Sequence, residues 1–78
     1  MKTMTCEQLG GACEEAFQAE SFDEIAAMSK THAMRMFQQG DDAHLAAAEK
    51  MKTLMQDPSA MKDWFESRKK EFEDLEED

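Results

Sequence analysis

The sequence predicts an α+β domain that is predominantly helical, with one N-terminal β-hairpin packed on three helices. Val and Tyr are absent and Ile occurs once, so the residues that favour strands are nearly missing. Ala, Met, Glu, Lys and Gln are abundant instead, and these residues favour helices. The 78 residues predict a single domain, with a hairpin segment at 1–20, a helical part at 21–75 and an acidic tail at 76–78.

Residues 1–20 predict a hairpin with arms at about residues 2–7 and 13–19. Apolar and polar side chains alternate along both arms, as they do in a strand with one buried face. Gly10-Gly11 lies between the arms and favours a tight reversal of the chain. Because an isolated hairpin is marginally stable in water, we expect one of its faces to pack on the helices.

Capping residues divide the rest of the chain. Ser21 and Glu24 form a capping box at the start of the first helix, and Gly40 suits a left-handed residue just after its end. Asp41 and the following Asp42 predict the start of the second helix. Pro58 fits the first position of the third helix. The predicted helices cover residues 22–39, 43–56 and 58–75.

Helical periodicity predicts which side chains are buried. The expected apolar stripe of the second helix is Leu45, Ala48, Met51 and Met55. The expected apolar face of the third helix is Met61, Trp64, Phe65, Phe72 and Leu75. Four of the last five residues are acidic, which is the unfavourable sign for the C-terminal end of a helix, so we expect residues 76–78 to fray.

The charge and hydropathy of the chain argue against several classes of partner. A net charge of −9 disfavours binding to nucleic acid or to anionic lipid, which attract an excess of Lys and Arg. No apolar run is long enough to predict a membrane span. The N-terminus lacks the apolar stretch of a signal peptide, so we expect a cytoplasmic protein.

The segment from Cys6 to Cys13 has Leu9-Gly10 between its cysteines and is followed by a helix that bears His32. It resembles a small bacterial domain family of uncharacterised function that has a Cys-x-x-Leu-Gly-x-x-Cys hairpin and a helix with one or two His. This chain has Met36 where a second His would be expected, and the short form of the family lacks the third helix. The resemblance implies a hairpin–helix fold and a bacterial, cytoplasmic origin, but no activity.

The two cysteines allow three interpretations. A hairpin turn at residues 9 and 10 would place Cys6 directly opposite Cys13, close enough for a disulfide. The thiols could be buried as small hydrophobic groups, could form a reversible disulfide, or could bind a metal such as zinc together with His32. His44 is the candidate fourth ligand. The spacing C-x6-C-x18-H-x11-H is not a standard zinc pattern, which usually has ligand pairs two to five residues apart.

Each histidine also has a simpler interpretation. His32 fits a core or boundary position, and His44 fits a solvated first turn. No nucleophilic set, phosphate loop or metalloprotease motif is present, and three small helices leave little room for a catalytic pocket. We therefore expect no catalytic residues, no enzyme activity and no obligatory cofactor.

The favoured function is that of a non-enzymatic binding or accessory module, which acts through an apolar helix surface. Met34 and Phe37 lie off the main apolar stripe of the first helix and are the candidate interface. Homodimerisation is the expected contact, because small domains often gain stability by association. The alternative is a thiol-based metal or redox module that uses Cys6, Cys13 and His32. A third hypothesis is an acidic inhibitor that binds a basic protein surface.

Overall fold

The structure, a computed structural model, describes residues 1–78 as a two-stranded antiparallel hairpin followed by three helices. The elements are β1 (Lys2–Thr5), β2 (Ala16–Ala19), α1 (Phe22–Gln38), α2 (Asp42–Met55) and α3 (Pro58–Asp74). The predicted fold class is confirmed, and each helix boundary lies within one residue of its predicted position. None of the three helices combines the length and the apolar character needed to cross a bilayer.

The helix boundaries follow from local capping. Ser21 accepts a hydrogen bond from the Glu24 backbone N–H at 3.2 Å, and its hydroxyl donates to the Glu24 carboxylate. The carboxylate therefore bonds the hydroxyl, whereas the capping-box pattern has it accept from the Ser21 backbone N–H. Gly40 has a left-handed φ of +71° after α1, and Asp41 and Asp57 cap the two following helices through their side chains.

The strands are shorter than expected and pair in a different register. Thr5 lies opposite Ala16, so the strands end before either cysteine. The Cys6 backbone N–H donates to the carbonyl oxygen of Glu15 at 2.7 Å, which makes Glu15, and not Cys13, the residue facing Cys6 across the ladder. The predicted cross-strand cysteine pair is therefore wrong. A wide connection takes the place of the tight two-residue turn on which that prediction depended.

This connection, residues 6–15, is here called the cysteine loop. It contains one turn of 3₁₀ helix at Glu7–Leu9, which ends at Gly10 with a left-handed φ of +94°. A Cβ at Gly10 would lie 3.2 Å from Met51 of α2 and 3.2 Å from Trp64 of α3. Glycine therefore allows the loop to pack closely against both helices.

A single hydrophobic core lies between the hairpin, the N-terminal half of α1 and the end of α3. Its buried side chains are Met4, Cys6, Leu9, Phe17, Ala19, Phe22, Ile25 and Phe72. The Phe22 ring contacts the rings of Phe65 and Phe72 edge-on, at centroid distances of 5.1 and 6.0 Å.

The predicted apolar stripe of α2 is partly wrong. Leu45 and Met55 are 41% and 58% exposed, and α2 contributes no side chain to the hydrophobic core. Its one buried residue is His44, in the first turn. His44 and half-buried Met51 both face the cysteine loop, and this orientation of the helix leaves Leu45 and Met55 exposed.

The third helix buries less of its predicted apolar face than periodicity suggests. Phe72 is buried and Leu75 packs against the core, but Phe65 remains 38% exposed. The acidic tail lies along the hairpin, where the Asp78 backbone N–H donates to the Met1 carbonyl oxygen at 2.7 Å. The Asp78 side chain also contacts Gln18 of β2. The acidic tail thus has hydrogen-bond partners in the hairpin segment, which its charge alone does not predict.

Candidate metal centre

Two cysteines and two histidines converge at one point between the cysteine loop, α1 and α2. The ligand atoms of Cys6, Cys13, His32 and His44 all lie within 4.8 Å of one another. Cys13 Sγ is 3.2 Å from His32 Nε2, and Cys6 Sγ is 3.6 Å from His44 Nε2. Neither cysteine forms a disulfide. The structure thus brings together all four residues that the sequence proposed as metal ligands.

Each ligand is positioned by a different part of the fold. The cysteines lie at the two sides of the cysteine loop, where the Glu7 backbone N–H donates to the Cys13 carbonyl oxygen at 3.0 Å. His32 lies on the inner face of α1, where its ring meets Phe17 edge-on at a centroid distance of 5.6 Å. His44 is only 4% exposed, so its interpretation as a solvated first-turn residue is wrong. Helix α2 packs on the cysteine loop, and this packing removes the His44 ring from solvent.

The geometry around Cys6 depends on Gly11. An ideal Cβ at Gly11 would lie 2.1 Å from Cys6 Sγ, so any side chain there would displace the sulfur. The Gly11 backbone N–H also donates to the Cys6 carbonyl oxygen at 2.8 Å. Burial raises the pKa of the Cys6 thiol, although hydrogen bonds from the backbone of Cys13 and Ala12 act in the opposite direction. The net effect favours the neutral thiol, so metal binding would require the Cys6 thiol to lose its proton.

A carboxylate orients each imidazole ring. Glu15 Oε2 lies 2.7 Å from His32 Nδ1, and Asp41 Oδ2 lies 2.5 Å from His44 Nδ1. The hydrogen bond from His44 lowers the pKa of the Asp41 carboxyl. A carboxylate accepts hydrogen bonds, so Nδ1–H donates to it in both pairs, and each ring directs Nε2 towards a cysteine sulfur. This carboxylate–histidine arrangement is typical of metal-ligating histidines.

Two of the six distances between ligand atoms are close to those around a tetrahedral zinc ion. Zn–S and Zn–N bonds of about 2.3 and 2.05 Å at tetrahedral angles separate sulfur from nitrogen by about 3.6 Å. The two Sγ···Nε2 distances, 3.6 and 3.2 Å, lie at or slightly below this value. A donor set of two sulfurs and two imidazole nitrogens suits zinc, and four protein ligands would complete its coordination.

Glu15 and Asp41 were not among the site residues predicted from the sequence. Asp41 stands three residues before His44, and this spacing lets one capping carboxylate reach both the backbone N–H and the ring of the histidine. That local pattern could have been recognised in the sequence. Glu15 carries no comparable signal, because it meets His32 only when the hairpin packs on α1.

The candidate interface residues Met34 and Phe37 are 52% and 37% exposed. Neither residue contributes a ligand atom to the cysteine–histidine cluster. Their role in dimerisation stays a prediction, as does the resemblance to a bacterial hairpin–helix family. Comparisons of this chain with protein-family models, with curated proteins and with solved structures find no match.

Proposed function

We propose that this chain is a small zinc-binding module in which Cys6, Cys13, His32 and His44 hold one Zn²⁺. The ion would join the cysteine loop to α1 and α2. Because four protein ligands leave no open coordination position for water or substrate, the role that fits the site is structural and non-enzymatic. Metal binding is therefore preferred to the function of a module that acts only through its apolar surface.

The observation that carries the proposal is the orientation of the two imidazole rings. Each ring directs Nε2 to a cysteine sulfur while a carboxylate accepts from Nδ1. Simple burial of two thiols and two histidines would require neither the convergence of four donor atoms nor a carboxylate behind each ring. Both features are common in metal sites, where the second ring nitrogen of a ligating histidine donates to a carboxylate, a carbonyl or water.

The small core gives such an ion a physical purpose. Only 10 of the 78 residues are buried, and three of these are the candidate ligands Cys6, His32 and His44. Below roughly 80 residues a hydrophobic core contributes little net stability, and a structural metal is one common supplement. Because ligands from three separate segments meet at one ion, metal binding would contribute directly to folding. The reducing cytoplasm that the sequence predicts would keep both thiols available.

Native mass spectrometry of the chain expressed with added zinc tests the proposal. We expect one zinc per chain, lost from Cys13→Ser and retained by Ala12→Ser, a control that adds a hydroxyl to the same loop without removing a ligand. X-ray absorption at the zinc edge should show two sulfur ligands at about 2.3 Å and two nitrogen ligands at about 2.05 Å.

In the unsubstituted chain, two outcomes would overturn the proposal. One is a reduced, metal-free chain even when zinc is supplied in excess, which would leave the cysteines as core packing. The other is a chain without zinc that lacks two hydrogen atoms and regains them with reductant, which would favour a reversible disulfide between Cys6 and Cys13. Zinc bound equally well by Cys13→Ser would place the ion elsewhere.

A further inference from the structure

An apolar cleft opens between the three helices and the cysteine loop, next to the metal centre. Its volume is about 550 Å³, which is within the range of small-molecule sites. Most of the side chains that line it are hydrophobic, and the largest are Phe22, Phe37, Met51, Trp64 and Phe65. We call it the helix cleft.

The charges around the helix cleft are opposite in sign to those of the rest of the chain. The sequence has 18 acidic and 9 basic residues, yet no Asp or Glu lines the cleft. Two lysines do, Lys30 of α1 and Lys52 of α2. Neither forms an ion pair, although acidic side chains are abundant elsewhere on the surface. Two lysines without an ion-pair partner thus line an apolar cavity.

From this combination we infer that the helix cleft binds a small amphipathic anion, specifically a medium-chain alkyl carboxylate. The alkyl chain would lie against the aromatic and methionine side chains, where it leaves water. The carboxylate would accept hydrogen bonds from Lys30 and Lys52, whose alkyl stems also cover apolar surface. A neutral lipid would leave both ammonium groups without a counter-charge, and a cationic amphiphile would be repelled by them.

The inference is independent of the zinc proposal, although Cys6 and His44 lie at the inner wall of the helix cleft. Both are almost fully buried there, and their donor atoms face one another. A carboxylate between the lysines therefore need not displace a metal ion. Native mass spectrometry can record zinc and bound ligand as separate mass increments, so that either proposal can fail alone.

The test uses Trp64, the only tryptophan of the chain, which lines the helix cleft. The full zinc-treated chain is titrated with dodecanoate, with dodecan-1-ol and with dodecyltrimethylammonium, each below its micelle threshold, while tryptophan emission is recorded. We expect saturable binding of one dodecanoate per chain. Its Kd should be roughly tenfold or more below that of the alcohol, since charge-assisted hydrogen bonds add to the same apolar contact.

Paired lysine variants separate local charge from net charge. In Lys30→Met/Lys52→Met the preference for dodecanoate over the alcohol should disappear, because methionine keeps the apolar stem without the ammonium group. The control Lys69→Met/Lys70→Met removes the same net charge from the exposed surface of α3, outside the cleft, and should keep the preference.

Three results would overturn the inference. The first is the absence of a saturable emission change, confirmed by mass spectrometry as the absence of bound dodecanoate. The second is equal affinity for all three amphiphiles, or equal effects of the two double variants. The third is a stable dimer in sedimentation experiments that excludes dodecanoate, which would make a second copy of the chain the occupant of the cleft.

Discussion

Replacement of His44 by alanine is the perturbation that should reveal most about this fold. His44 is the only buried residue of α2, and its Nε2 faces Cys6 across 3.6 Å. The remaining attachment of α2 depends on half-buried residues such as Met51, which packs on Gly10. If zinc joins α2 to the cysteine loop, His44→Ala should remove the main attachment of this helix.

The magnitude follows from ligand linkage. With free zinc buffered at about one hundred times Kd, binding stabilises the native chain by about 2.7 kcal/mol. For a domain of this size that corresponds to an increase in Tm of roughly 11–22 °C. If the loss of one ligand weakens binding about a hundredfold, the same zinc concentration stabilises the variant by only about 0.4 kcal/mol. Its zinc-dependent increase in Tm should then be about 2–3 °C.

The assay is thermal unfolding followed by circular dichroism, recorded with buffered zinc and again with a chelator. The difference between the two Tm values isolates the metal contribution from the packing lost with the imidazole ring. Glu49→Ala, an exposed substitution on the same helix, should retain the full wild-type difference. Hydrogen exchange should show faster exchange in α2 of His44→Ala, while β1 and β2 remain protected. A zinc-dependent difference of the same size in His44→Ala and wild type would refute this reasoning.

The other predictions concern the groups around the ligands. Glu15→Gln should weaken zinc binding about 10–100-fold, because the amide orients the His32 ring less strongly, and a competition titration against a chromogenic chelator measures the change. Glu14→Gln is its matched control, since Glu14 is exposed and forms no hydrogen bond; equal affinity of the two variants would contradict the role of Glu15. Gly11→Ala should reduce zinc affinity by displacing the Cys6 sulfur, from which its Cβ would lie 2.1 Å away. Unchanged affinity of Gly11→Ala in the same titration would show that the loop relaxes without disturbing the site.

Much of the local structure could be predicted because its causes act over a few residues. Ser21, Asp41 and Asp57 satisfy the first backbone N–H groups of their helices, and Gly40 supplies the left-handed residue after α1. These effects do not depend on what the helix later packs against. The helix boundaries could therefore be predicted from the sequence to within one residue.

The side of α2 that is buried could not be predicted in the same way. Hydrophobic periodicity favoured Leu45 and Met55, but both are exposed, and the helix instead turns His44 towards the cysteine loop. Amphipathic patterns indicate which faces can be buried at little cost. Which face of a helix is buried depends on the segment that it packs against. For α2 this segment is the cysteine loop, which lies near the N-terminus of the chain.

The sequence by itself determined that this protein has three helices and a hairpin, and that two cysteines and two histidines are available as ligands. Only the tertiary structure decided that the four ligands meet and that Glu15 and Asp41 stand behind the histidines. A ligand pattern within one turn or hairpin is visible as a fixed spacing. This site draws its ligands from a loop and two helices, so its geometry depends on how those segments pack and not on their separation along the chain.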